Sequence, residues 1–180
     1  MNTILARLNA AFAYTLSVMA VLTFLCFAST YMNDNLADIE IKAGSVIVKD
    51  VSDFTTDRTK RDLATLSNVG VKVDLSQVFN WNVKEIFLYL TAEYSSDLNA
   101  VNQVVLWDKI VMREDDQVVD VPSVEPKYYF FDDSRGLIGN SNVTLTLSWN
   151  VIPNAGRLPR VQGIGSTVLK LPNTYLGSRF

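Results

Sequence analysis

The residues able to do chemistry are few, and their spacing does not serve it. The 180-residue chain contains no histidine, and its one cysteine is Cys26. A serine or cysteine nucleophile with an imidazole base is excluded, and so is an HExxH zinc site. A lone thiol also excludes an internal disulfide framework and a CxxC metal site. Carboxylates, serine–lysine pairs and backbone oxyanion holes remain. The carboxylates include two adjacent pairs, Asp115-Asp116 and Asp132-Asp133. Neighbours in an extended strand point to opposite faces, so such pairs do not converge on a proton or on calcium. Both sit in turn-like runs, Glu114–Gln117 and Asp132–Arg135, and read as solvated turns. Neither GxSxG nor SxxK occurs to support a catalytic serine. The expectation is no catalytic residue, no cofactor and no metal.

Other side chains suit recognition better than turnover. Asn142-Val143-Thr144 is an N-glycosylation sequon, set in the loop that begins Gly139-Asn140-Ser141. Trp81, Trp107 and Trp149 could form a sugar-stacking platform, although core packing or interface anchoring is the commoner use of tryptophan. Together with Tyr128 and Tyr129, Trp81 and Trp107 are the candidate interface anchors, provided they prove exposed. The basic run Arg58-Thr59-Lys60-Arg61 lies between Asp57 and Asp62 and reads as a solvated loop or partner rim.

What must position these residues divides into two parts. From Leu8 to Asn33 no side chain carries a charge. The apolar stretch Ala10–Met32, as a helix, spans roughly 30–35 Å, enough to cross a bilayer core. Tyr14 and Tyr31 stand near its ends, where aromatic rings favour the interface. A cleaved signal peptide is the rival reading, with Arg7 as its basic region and Cys26-Phe27-Ala28 before the cut. The run is longer than the ~7–15 apolar residues usual in a signal, which favours a retained anchor. Arg7 precedes the span, whereas Asp34, Asp38 and Glu40 follow it. The positive-inside rule then puts residues 1–9 in the cytosol, residues 10–32 in the membrane and residues 33–180 across it. Cys26 lies within the span as a small apolar lining residue, so the translocated part has no thiol to oxidise. A net charge of −3 argues against a nucleic-acid partner.

Beyond the span the hydrophobic period is mostly two. Val69–Leu75 and Val143–Val151 alternate apolar with small or polar residues, as half-exposed antiparallel strands do. Further strands are expected at Ile39–Lys42, Val46–Lys49, Ile86–Tyr94, Val104–Met112, Val118–Val121, Lys127–Phe131 and Val168–Leu171. Leu88-Tyr89-Leu90 and Val104-Val105-Leu106 are apolar on both faces, which predicts central strands. Only Asp57–Leu66 and Leu75–Phe79 look weakly helical. The fold class is therefore mainly β: a single N-terminal transmembrane helix followed by an antiparallel β-sandwich.

Particular stretches carry a resemblance. Met1-Asn2-Thr3-Ile4-Leu5 leading into the span, FNWNVKEIFLYLTAEY (Phe79–Tyr94), NAVNQVVLWDKIV (Asn99–Val111) and YYFFDDSRGLIGNSNVTLTLSWNVIPNAG (Tyr128–Gly156) resemble the signal peptidase complex subunit 3 family. The last block is the most specific. The match is weaker over residues 43–68, 113–125 and after Arg157. The resemblance implies a single-pass type II protein of the endoplasmic-reticulum membrane with its bulk in the lumen. It further implies a non-catalytic, accessory subunit whose partners are the catalytic signal peptidase subunit and the other subunits of that complex, besides the lipid bilayer. The family's catalytic partner carries a Ser-Met box and a histidine base. This chain has neither a Ser-Met dipeptide nor a histidine, which suits the accessory role. The family's glycosylation maps onto Asn142 within NVTLTLSWN. The alternative is an anchored lumenal module that binds carbohydrate or protein.

Topology and sequon are tested together. On protein from native membranes, a deglycosylating enzyme should shift mobility by one glycan, and Asn142→Gln should abolish the shift. N-terminal sequencing should find no cut after Ala28; a mature chain starting at Ser29 would sink the anchor reading.

Overall fold

The uncharged N-terminal run folds as one helix, α1, Ile4–Thr30. The computed structural model describes residues 3–52, 60–132 and 134–177. Thr3 caps α1, its Oγ1 accepting from the Ala6 N–H at 3.2 Å. Inside the helix the hydroxyls of Thr15, Ser17 and Thr23 each donate to the carbonyl four residues back. Those polar groups are satisfied without water, as a bilayer core requires. None of the helix residues is buried by the rest of the chain, and its length and composition suit a membrane crossing. The helix begins earlier than the expected span of residues 10–32, so it includes Arg7, and it ends at Thr30.

Eleven strands follow among the described residues: β1 (Ile39–Lys42), β2 (Ser45–Ser52), β3 (Lys60–Ser67), β4 (Val69–Asp74), β5 (Val83–Tyr94), β6 (Asn102–Met112), β7 (Val118–Val124), β8 (Phe130–Asp132), β9 (Val143–Pro153), β10 (Arg160–Gln162) and β11 (Thr167–Leu169). One layer is the sheet β10-β9-β5-β6, with β11 also on β9. The other is made of two shorter sheets, β1-β4-β7 and β2-β3-β8. These two are halves of one long hairpin. Lys42 faces Gly70 and Ser45 faces Ser67, so the register continues across the break. The chain bends there at Gly44, where a Cβ would collide with the Ser67 carbonyl oxygen, and at Asn68, which adopts φ 59°. Asn tolerates that left-handed backbone better than most side chains do. The inner faces of both layers share one core, in which Val48, Leu66 and Val71 meet Leu88, Leu147 and Trp149. All strand pairings are antiparallel.

The fold class is as expected, with four local differences. The weakly helical stretch Asp57–Leu66 is, from Lys60 onward, strand β3; residues 57–59 lie outside the described residues. Its register against β2 and β8 overrides local propensity. Leu75–Phe79 forms a single turn closed by Val78 and Phe79 N–H groups on the Leu75 carbonyl. Of the two expected central strands, β5 is central, but β6 is the sheet edge, and Val105 on it is exposed. Its apolar run is covered on one face by the core and open on the other. The strand that joins β5 at the centre is β9. The expected strand Lys127–Phe131 is confined to Phe130–Asp132, because Lys127 and Tyr128 turn their N–H groups to the Leu106 carbonyl.

Asp132 is not a solvated turn residue. It is buried, opposite the equally buried Asp62 in the β3–β8 ladder. Its Oδ1 accepts from the Tyr94 hydroxyl at 2.8 Å, and its Oδ2 from Ser134 Oγ at 2.7 Å and the Gly136 N–H at 2.6 Å. Asp62 takes the Tyr175 hydroxyl at 2.9 Å and the Leu137 N–H at 3.2 Å. The Tyr175 hydroxyl is held above its usual pKa, first by burial. Each carboxylate thus fixes a loop, and both oxygens of each accept a hydrogen bond. Asp133 lies outside the described residues.

Close approach sets one glycine. A Cβ on Gly163 would stand 2.5 Å from Ile39 Cγ2 and 2.9 Å from Trp149 Cζ3. Trp149 is fully buried, its Nε1 donating to the Asn35 carbonyl at 3.1 Å, so it cannot retreat. Gly163→Ala should therefore destabilise the chain by about 1–3 kcal/mol through overpacking. The urea midpoint in detergent checks it; an unchanged midpoint would show that the core yields.

Candidate functional site

Two places gather the residues singled out above. The first is where α1 meets the β-layers. The turn Asn80-Trp81-Asn82 leads into β5, and the loop of residues 153–159 leaves β9 beside it. Asn80 Oδ1 accepts from the Asn82 N–H at 2.9 Å, the self-bonded turn that asparagine favours. Arg113 pins the same turn by donating to the Asn80 and Val83 carbonyls.

Asn82 is only 2% exposed, and it joins three segments. Its Nδ2 donates to Thr30 Oγ1 at 2.9 Å and to the Ala155 carbonyl at 2.8 Å. Its Oδ1 accepts from the Ala155 N–H at 3.0 Å and from Cys26 Sγ at 3.4 Å. Its backbone carbonyl takes Asn154 at both N (2.7 Å) and Nδ2 (3.1 Å). Both amide protons and both amide lone pairs are occupied. Cys26, expected as a plain lining residue, is thus a weak donor in this set. Phe27 covers Gly156, where a Cβ would come within 2.7 Å of its ring. Arg157 lies over the Tyr31 ring at 5.1 Å. The crevice left between helix and loop has a volume of about 70 Å³. That is far below the roughly 300–1,000 Å³ of a small-molecule site. The Asn82 bonds tie helix, turn and loop together, so the junction fixes the angle and height of the β-layers over the helix.

The second place is the outer face of the large sheet. Phe87, Tyr89, Val105, Asp108, Tyr128 and Asn150 line an open depression of about 400 Å³. Phe87 and Tyr89 rings lie 5.7 Å apart, and Arg160 reaches over Tyr89 at 6.0 Å. The Tyr128 hydroxyl donates to Asp108 Oδ1 at 2.9 Å, and Lys127 Nζ stands 3.4 Å from the same oxygen. The hydrogen bond to that carboxylate, then its charge, raises the Tyr128 pKa, so the hydroxyl stays protonated. Tyr129 beside it is 77% exposed. A shallow dish with an aromatic rim suits a protein surface better than a buried substrate.

The structure separates the expected residues. Trp107 (8% exposed) and Trp149 are core, so there is no three-tryptophan sugar platform. Tyr128 is exposed at the dish, Tyr129 is exposed on the neighbouring surface against the Phe131 ring, and Trp81 is exposed at the junction. Asn142 is exposed in the loop before β9, its N–H held by Asn140 Oδ1 at 3.0 Å. Asp115 and Asp116 are exposed turn residues accepting from the Met112 and Val118 N–H groups. Lys60 lies in β3, paired with Asp50 at 2.8 Å, and Arg61 covers the Phe131 ring at 4.0 Å, so this half of the basic run is not a free loop. Arg58 and Thr59 lie outside the described residues. Among the described residues, no three cysteine, aspartate or glutamate side chains come together to hold a metal ion. Sequence reasoning missed Asn82. Its signal was the doubled Asn around Trp81 (Asn80-Trp81-Asn82), a turn pattern placed immediately before an apolar strand.

Comparison with known proteins decides the family. The family model described as "Signal peptidase subunit" matches residues 1–174. The chain belongs to that family. It is 51% identical over 175 residues to the signal peptidase complex subunit 3 of Homo sapiens, covering 97% of each chain. It is 51% identical over 178 residues to the protein of the same name from Drosophila melanogaster, covering 99% of each. It is also 50% identical over 175 residues to a Mus musculus protein named adipocyte-related X-chromosome expressed sequence 1. The junction and the dish both fall within the matched residues.

Removing the Asn82 amide should loosen the junction without unfolding the sheets. Asn82→Ala strands the Ala155 peptide groups, a loss of about 1–3 kcal/mol for each buried group left unpaired, and cuts the tie to Thr30. Spin labels on α1 and β6 should give a broadened distance distribution in the variant with far-UV dichroism unchanged. An equally narrow distribution would show that Asn82 does not set the angle.

Proposed function

We propose that this chain is a non-catalytic, accessory subunit of the signal peptidase complex in the endoplasmic-reticulum membrane. The observation that carries this is its 51% identity, over 97% of both chains, to a protein named signal peptidase complex subunit 3. Residues 1–9 are cytosolic, residues 10–32 anchor the chain, and residues 33–180 are lumenal. Supporting a retained anchor, cleavage after Ala28 would remove Cys26 and Phe27, both of which contact the β-layers. Supporting a lumenal domain, no cysteine occurs beyond the span, and the Asn142 sequon is exposed for glycosylation.

The partners are the catalytic subunit and the other members of the complex. The aromatic dish and the surface next to it are where we place the protein contact, with Tyr128 on the dish and Tyr129 beside it as anchors. A standard interface buries on the order of 1,600 Å², and a few aromatic or arginine residues dominate it. The chain then acts by holding the protease domain at a fixed position over the membrane rather than by making or breaking bonds. No catalytic residue, cofactor or metal enters this reading.

Depleting the chain should lower precursor processing mainly by lowering the level or assembly of the catalytic subunit. The double variant Tyr128→Ala, Tyr129→Ala should fold yet recover less of that subunit in a detergent pull-down; each true anchor is worth about 2 kcal/mol or more. Asp115→Asn with Asp116→Asn should process precursors normally. If that pair left the complex assembled but inactive, a carboxylate role would have to be reopened.

A further inference from the structure

We propose that the β-domain does not stand clear of the membrane: the rim formed by the Asn80-Trp81-Asn82 turn and the 153–159 loop sits in the interfacial layer of the bilayer. Trp81 and Leu158 enter it as apolar side chains, and Arg157 meets lipid phosphate. The inference rests on the reading of α1 as a membrane span.

The height of the rim follows from the helix. From Ala10 to Thr30 an α-helix rises about 30 Å, the thickness of the hydrocarbon core. Thr30 therefore lies at the far edge of that core. Asn82 bonds Thr30 at 2.9 Å and reaches Cys26 at 3.4 Å. Cys26 is one turn deeper, about 6 Å nearer the midplane. Phe27, at nearly the same depth, lies against Gly156. Both rim segments are in contact with residues at or below the hydrocarbon edge, so the rim cannot be lifted into bulk water without breaking the Asn82 set.

The polar and apolar groups of the rim match that level. Backbone or amide groups placed there need internal partners, and those of Asn82 all have them. Trp81 is 61% exposed and Leu158 is 62% exposed. Each is a large apolar side chain left open beside a span, which costs free energy in water and gains it at the interface. An indole is suited to this layer because its ring is apolar and its N–H can stay wet. Arg157 stacks on Tyr31 at 5.1 Å, and its guanidinium is a fork that fits a phosphodiester. The occupant is accordingly lipid, continuous with the lipid that surrounds α1, rather than a separate protein.

The three tryptophans make this measurable, because Trp107 and Trp149 are buried. The full chain is reconstituted into phosphatidylcholine vesicles with and without a nitroxide near the top of the acyl chain. Wild-type emission should be quenched by the nitroxide lipid and largely protected from aqueous iodide. The lipid-dependent part should be lost in Trp81→Phe and reduced in Leu158→Glu. Emission open to iodide but blind to the nitroxide lipid would overturn the inference, as would equal lipid quenching in Trp81→Phe. Alkaline carbonate extraction separates the two readings. A chain that stays with the vesicles while Trp81 escapes the nitroxide sinks only the seated rim. A chain released by carbonate sinks the span itself.

Discussion

The Asn82 side-chain amide is the constraint on which the rest of the molecule depends. A membrane helix and a β-sandwich have no shared hydrophobic core to orient them, since none of the residues of α1 is buried. What joins them is directional. Two amide protons and two lone pairs connect Thr30 and Cys26 on the helix to Ala155 on the loop after β9. A hydrophobic contact would tolerate sliding, whereas four hydrogen bonds from one planar group allow one arrangement. Each also starts from the buried Asn82 amide, for which an unmade bond is expensive. Under the proposed role, holding another protein in place, such a joint matters more than a reactive group.

The β-layers are built to keep that joint stiff. Asn82 sits at the start of β5, the strand paired on both sides, by β9 and β6. Ala155 follows the end of β9, the other central strand. Asn82 and the Ala155 loop it grips therefore lie at the ends of the two central strands of the large sheet. On the opposite layer, a single bent hairpin wraps the core. The buried carboxylates Asp62 and Asp132 hold the loop of residues 134–137 and Tyr175 against it. These acids serve as structural acceptors, which is why their burial does not mark a reaction centre.

Much of this was legible in the sequence, for physical reasons that differ by element. The N-terminal helix, long and apolar enough to cross a membrane, was legible because a long uncharged run has few other fates. Strands β4 and β9 were legible because alternation records which face is wet, and β5 because its run is apolar on both faces. Strand β3 was not, because Lys60-Arg61-Asp62 breaks the alternation: Arg61 covers the Phe131 ring, and Asp62 is inside, satisfied by partners about 75 and 113 residues away. Edge and centre were confused for β6 because an exposed depression lined by Phe87 and Val105 looks, residue by residue, like a core. The candidate anchors were nameable as types, yet whether Trp107 or Tyr129 was exposed depended on tertiary packing. The Asn80-Trp81-Asn82 turn was readable, but the joining role of Asn82 was not, because its partners lie more than 50 residues away in both directions.

Strand β9 gives the molecule a ruler and an axis. It starts one residue after Asn142 and ends one residue before Asn154, which hydrogen-bonds Asn82 at the junction. Eleven residues of strand measure roughly 35 Å. A sugar on Asn142 would therefore be carried at the far pole from the helix, a hydrated float at one end of a stiff rod whose other end is moored. Such a body resists capsizing: leaning the domain over would drag the sugar toward lipid while straining the mooring, so both ends return it to the upright position.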